Sequence, residues 1–308
     1  MNKNNKQLSA MAMAFLGNVI FGFSFLFSKM AFSLESVTVT PFILLSYRFL
    51  LAFLVMNVIL AFRPSLLSLR GKKWWRLLLL GLLQPVAYFI FENYALRETN
   101  TVLSAVMIAL VPVVSLLFGL VFLGERPTAL QVVCSGVSVL GVALLSLGDS
   151  AGEGTSIWVF LLLVGAMLSA SGFNFVSRKT SSEFTSFERT YVMFLLASVA
   201  FTALAFVENR NDPSALILPL KETEFLISVG FLGLFSSVVA FFSVNYANTH
   251  LPLSRSTAFS NMTTVVSLFA GIFILRERHS ALAIFAAVLI VLGVWGVQQF
   301  AKDKTNSK

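Results

Sequence analysis

Ten stretches of about twenty apolar residues divide the chain, at roughly 9–32, 40–62, 74–95, 101–123, 129–147, 156–177, 188–207, 224–247, 255–275 and 280–300. Each is close to the ~20 residues a helix needs to cross a hydrocarbon core of ~30 Å. Lipid offers no partner to a bare peptide group, so such stretches fold as helices with internal backbone bonds. The alternating pattern of a membrane β-barrel is absent. Composition points the same way: 57% of the 308 residues are apolar and 12% are charged, against ~25% charged in soluble domains. A disordered chain, a disulfide scaffold and a soluble enzyme are thereby excluded. The expected fold is an all-α integral membrane protein with ten transmembrane helices.

The cations orient these spans. With the N-terminus inside, fifteen of the 22 Lys and Arg fall on the inner side, six fall outside, and Arg48 lies within a span. The excess predicts cytoplasmic N- and C-termini and a multi-pass protein of the plasma membrane. Arg189 is counted among the inner cations, and Lys29, Lys179, Trp74 and Trp75 are expected to anchor at the interfaces. Lys3 and Lys6 precede an apolar run from about Leu8 to Leu34. That run exceeds the ~7–15 residues of a signal-peptide core, so it is expected to remain as the first span. The net charge of +8 comes in short blocks between apolar runs, without the basic and aromatic stripe of a nucleic-acid surface. Cys134 has no partner for an internal disulfide, and His250 and His279 stand alone, so neither a metal site nor a cofactor is expected.

Shifting the chain by 152 positions superposes 93–142 on 245–294 with 18 identities in 50 positions. Asn93-Tyr94-Ala95 meets Asn245-Tyr246-Ala247, Glu125-Arg126 meets Glu277-Arg278, and Gly141 meets Gly293. A shift of 150 aligns Gly22-Phe23-Ser24-Phe25 with Gly172-Phe173-Asn174-Phe175. The chain therefore divides into two copies of five spans, 1–150 and 151–308, the second ending in a short cytoplasmic tail. Five is odd, so the second copy enters the membrane from the opposite side. Two inverted five-helix repeats form the architecture of secondary transporters.

Several residues also carry a family resemblance. Tyr94-Ala95-Leu96, Ala105, Pro112 and Gly124-Glu125-Arg126, with Gly22-Phe23-Ser24-Phe25 and Arg48-Phe49, resemble the EamA repeat of the drug/metabolite transporter superfamily. Two such repeats with ten spans are that family's pattern. The resemblance implies export of amino acids, other metabolites or drugs, and does not choose among them. Met193 stands where Arg48 would recur in the second copy, so any role of Arg48 is not duplicated.

Ionisable groups inside a span are costly and usually face the protein interior. Arg48 lies near the midplane, either facing a central cavity to attract an electron-rich group of the cargo or held in a structural ion pair. Gln84, Tyr88 and Glu92 recur every fourth residue and share one face of the third span. Glu92 is a candidate proton carrier, with a wet outer mouth or a pairing with Arg48 as the alternatives. Asn18, Asn174 and Asn261 are further cavity candidates, or else interhelical hydrogen-bond partners. Pro85 and Pro112 are hinge candidates, because proline removes a helix hydrogen bond. Glu125 and Glu277 are expected to cap the helices they precede.

The expected function is a secondary transporter, an exporter of small organic metabolites such as amino acids, working by alternating access. Multidrug or lipophilic-cation export is the alternative, and a receptor or scaffold without transport is the different class. No catalytic residue is assigned, so no enzyme is expected. The expected partners are a small-molecule substrate, the lipid bilayer and protons as a candidate coupling ion, not nucleic acid. The small residues Cys134, Ser135, Gly136, Ser138 and Gly141 allow close helix approach within one chain or between chains, so a monomer and a weak homo-oligomer both remain open. Single labelling cysteines, Arg126→Cys and Arg278→Cys in a Cys134→Ser background, are expected to react from opposite faces of the membrane; labelling from one face would overturn the inverted topology.

Overall fold

The structure, a computed structural model, describes residues 3–111, 113–114, 117–118, 128–149, 156–251, 256, 259–276 and 280–300. Within them run helices α1 (Lys3–Phe32), α2 (Pro41–Phe62), α3 (Arg76–Glu98), α4 (Thr101–Ile108), α5 (Ala129–Asp149), α6 (Ile157–Thr180), α7 (Ser186–Glu208), α8 (Thr223–His250), α9 (Ser260–Phe269) and α10 (Ala281–Gln299). Among the described residues, six helices (α1, α2, α3, α6, α7 and α8) are long and apolar enough to cross a membrane. Helices α5 and α10 contain the shorter apolar stretches Ala129–Gly141 and Ile284–Val297, and a third, Met262–Ile274, runs from α9 into the π-helical segment Ala270–Ile274. Pro112, Glu125 and Glu277 lie outside the described residues, so their expected roles have no structural counterpart here.

Local chemistry sets the helix starts. Thr40 accepts from the Ile43 amide at 3.3 Å ahead of Pro41, whose missing N–H costs nothing in a first turn. Thr185 and Glu188 close a reciprocal capping box on α7. Outward faces are apolar: Leu50, Leu54, Val58 and Phe62, four residues apart on α2, are all exposed. Water would penalise such a stripe, whereas lipid covers it without cost.

Contacts between helix ends sort these ends onto two faces. On the first, Thr40 Oγ1 donates to Glu208 at 2.5 Å and Tyr47 donates to the Leu216 carbonyl at 2.6 Å. On the second, Lys72 pairs with Glu188 at 2.6 Å, Arg76 pairs with Glu183, and the Ser68 amide donates to Glu188 at 3.1 Å. Hence α1 and α6, α2 and α7, and α3 and α8 run in opposite directions. The packing has the same correspondence. Helix α2 packs on α7 and α5 on α10, while α1 packs on α8 and α9 as α6 packs on α3 and α4.

The structure gives partners to two cations whose contacts the sequence does not show. Lys29 is not a free interface anchor: its ammonium donates to the carbonyls of Leu96 (3.1 Å) and Thr99 (2.6 Å), closing the end of α3. Arg178, beside Lys179, donates to the carbonyls of Asn248 (2.9 Å) and Leu251 (3.1 Å), the positions 152 residues further on. Both satisfy orphan carbonyls at the negative end of a helix dipole. Arg189 is no surface cation either. Fully buried, it donates to Ser177 O and Oγ, Asn245 O and Thr249 Oγ1 at 2.5–2.9 Å, joining α6, α7 and α8.

The small residues of α5 are used within the chain. A Cβ on Gly293 of α10 would lie 2.7 Å from the Cys134 carbonyl, and one on Gly141 would lie 3.0 Å from the Ala286 carbonyl. Besides Ser138 Oγ and Ile290 Cγ1, the obstructing atoms are backbone, so a larger residue must push the helices apart. Gly293→Leu is therefore expected to cost about 1–3 kcal/mol, read as a lower unfolding temperature of the detergent-purified protein, whereas Gly136→Ala, which meets nothing within 4 Å, should leave it unchanged.

Candidate binding cavity

Helices α3 and α8 both leave regular geometry at matching heights, in π-helical segments Leu82–Ala87 and Phe231–Val239. In α3 the break is at Gln84 (φ −148°, ψ 121°), just before Pro85, so the proposed hinge residue stands at an actual interruption. Its counterparts in α8, Ser236 and Ser237, are buried and accept from Arg48 NH2 and Nε, each at 3.0 Å.

These irregular segments flank a cavity of about 100 Å³. Its lining comes from α1, α3, α6, α8 and α9, with Ile108 of α4 and neighbouring Val111. Five phenylalanines (Phe21, Phe25, Phe89, Phe173 and Phe241) contribute to the wall. Phe89 and Phe241, related by the 152-residue shift, meet with ring centroids 6.1 Å apart. Much larger volumes, ~300 Å³ and above, hold drug-sized ligands.

Asn18, Gln84, Tyr88, Glu92 and Asn174 all line this cavity. Tyr88 lies one helical turn from Glu92 on the same face, and Asn93 Nδ2 donates to Glu92 Oε2 at 2.6 Å. The carboxylate is nearly inaccessible, its residue 3% exposed. Asn18 is internally engaged, giving Nδ2 to the Ala14 carbonyl and accepting from Thr263 Oγ1. Half-buried Gln84 and Asn174 make no side-chain hydrogen bond among the described residues. The Asn261 side chain lies outside those described.

Arg48 does not join the lining. Its guanidinium sits behind the wall, 4.1 Å from the Phe89 ring centroid and 5.3 Å from that of Phe49, with the residue 1% exposed. Its charge still acts on Glu92. Two cation–π faces and two hydroxyls replace the hydration it gives up. Sequence reasoning missed Asn248 of α8, Ser260 and Thr263 of α9, and Ser256 between these helices, which complete the lining. Ser256 stands 152 residues after Ser104, an identity within the repeat that is the one sequence signal for any of them.

A bundle of membrane-length helices around an aromatic and amide-lined cavity, drawn from both halves of a repeating chain, defines the class of polytopic membrane transporters. The EamA-like transporter family model matches residues 8–147 and 156–298, so the chain belongs to that family. An uncharacterized transporter of Bacillus subtilis, YcxC, is 31% identical over 98% of this chain and 96% of its own length. A probable terminal-alkyne amino-acid exporter of Streptantibioticus cattleyicolor is 28% identical over 68% of this chain and 67% of its own. One solved crystal structure superposes with a TM-score of 0.68 over 94% of this chain and 96% of that one, at 20% identity, a likeness of fold.

Removing both hydroxyls that hold Arg48 leaves a buried guanidinium short of acceptors, at about 1–3 kcal/mol for each lost partner. The double variant Ser236→Ala/Ser237→Ala is expected to unfold several degrees lower in a thermal scan. Ser228→Ala, which removes a buried hydroxyl without a hydrogen-bond partner, should not.

Proposed function

We propose that this transporter is a secondary carrier that exports small organic metabolites, amino acids or related compounds, by alternating access. The observation that carries the reading is the central cavity, walled jointly by both halves of the chain. On this reading ten helices cross the plasma membrane as two inverted sets of five, 1–150 and 151–308, with both termini cytoplasmic. The opposed directions of α1 and α6, α2 and α7, and α3 and α8 support the inversion, as do the mirrored cation caps of α3 and α8. Rocking of such halves about a shared site opens it to each side in turn. Export is favoured by the kinship with a probable amino-acid exporter. The modest cavity volume favours a small metabolite over a drug, while the phenylalanine wall and Glu92 are what a lipophilic cation would use.

Cargo contact is assigned to Gln84, Tyr88, Glu92 and Asn174, with Asn18 supporting the wall. The break at Gln84-Pro85 serves as the bending point. Glu92 carries the coupling proton, since a buried carboxylate can hold either a proton or a cationic cargo group. The chain acts as a monomer, because both halves and their α5–α10 contact lie within it.

Purified protein in liposomes is expected to catalyse counterflow of a labelled small amino acid, a readout that separates a carrier from a receptor or scaffold. Glu92→Gln should flatten the pH dependence of that flux; a variant that keeps the full pH profile would remove Glu92 as the proton carrier.

A further inference from the structure

Resting on the transport reading, one end of the cavity shows a built acceptor subsite. Asn248 ends the lining on α8 and is 1% exposed. Ser256 Oγ donates to its Oδ1 at 2.6 Å, which fixes the amide plane. The opposite amide atom, Nδ2, is buried and has no hydrogen-bond partner among the described residues. An orphan buried amide costs about 1–3 kcal/mol, and the cost is recovered when a ligand oxygen accepts from it.

The surroundings choose the kind of oxygen. Arg178 grips the Asn248 and Leu251 carbonyls, and Arg189 grips the Asn245 carbonyl and Thr249 Oγ1. Neither guanidinium has a carboxylate partner among the described residues, where the ion pairs are Lys72–Glu188 and Arg76–Glu183. This end of α8 therefore carries two uncompensated cations around an unused donor. Glu92 stands on α3, three residues beyond Phe89 toward the opposite face, and gives that end of the cavity the opposite character. The repeat sharpens the contrast. Leu96 occupies the Asn248 position in the first copy, and Val244 occupies the Glu92 position in the second. Each half contributes one polar end that its twin lacks.

We infer that Asn248, held by Ser256, is a specificity-determining residue that receives a carboxylate oxygen of the cargo at the Arg178–Arg189 end of the cavity. The bound group is anionic rather than a neutral carbonyl, because the two guanidinium groups bias the site toward negative charge. Ser256 acts as a positioning residue, holding Oδ1 so that Nδ2 stays the unused donor.

The test compares three probes on the purified full-length protein by thermal shift: valine, valinamide, and isobutylamine, which lacks the carboxyl carbon altogether. Wild type is expected to be stabilised most by valine. Asn248→Leu should lower its affinity for valine about tenfold or more and bring it level with isobutylamine, and Ser256→Ala should do so more weakly. Equal stabilisation by valine and valinamide would replace the carboxylate with a plain carbonyl and overturn the anionic assignment. Retention of the valine preference in Asn248→Leu, or no stabilisation of wild type by any of the three, overturns the subsite. Should Asn248→Leu not fold, Asn248→Ser, which keeps a shorter polar group, takes its place with the same expectations. Counterflow separates the two readings. Valine counterflow that is indifferent to residue 248 leaves carriage standing and removes the subsite. Valine stabilisation that depends on residue 248, without counterflow, leaves a binding site and removes carriage.

Discussion

Hydrocarbon offers no hydrogen bonds, and each polar group placed within the bundle must find its partner inside the chain. Two buried guanidinium groups show how far this constraint organises the fold. Arg48 draws α2 against the irregular middle of α8 through Ser236 and Ser237, and Arg189 knots the ends of α6, α7 and α8 together. Desolvating a cation costs several kcal/mol unless geometry restores what water supplied. Here hydroxyls, carbonyls and ring faces restore it, so the helices cannot slide past one another without exposing a charge to an apolar medium. Relative helix position is set by these polar points as much as by the phenylalanine packing around them.

Repetition adds a second ordering principle. Equivalent helices make equivalent neighbours, α1 with α8 and α9, α6 with α3 and α4. Even the caps recur, Lys29 on Leu96 and Thr99 being answered by Arg178 on Asn248 and Leu251. Some of the differences between the copies fall on the cavity and its supports: Glu92 against Val244, Leu96 against Asn248, Gln84-Pro85 against Ser236-Ser237. Scaffold is shared, and chemistry is specialised half by half.

Much of this was legible in the sequence, for reasons of length and contrast. Helices α1, α2, α3, α6, α7 and α8 are visible because an uninterrupted apolar run has few alternatives. Gln84, Tyr88 and Glu92 stand out because three polar residues at helical spacing interrupt such a run. Arg48 stood out equally, yet its side of the helix could not be read. Its partners lie 188 and 189 residues away, and nothing local distinguishes a cation facing a cavity from one facing two serines. The partners of Lys29 and Arg189 were hidden for a related reason: near a span end, a cation bound to carbonyls has the same sequence signature as one resting at the lipid headgroups. Asn248 escaped notice because an amide close to a helix terminus is unremarkable until its neighbours are seen.

The glycine contact between α5 and α10 has a mechanical corollary. At Gly141 and Gly293 the main chains come almost into contact, with only the short reach of Ile290 Cγ1 and Ser138 Oγ beside them to absorb displacement. Such a junction stores little compliance and behaves as a stiff keel. Any bending of the molecule is thereby displaced onto the helices with broken ladders, α3 and α8, whose weakened middles flank the hollow that has to change shape.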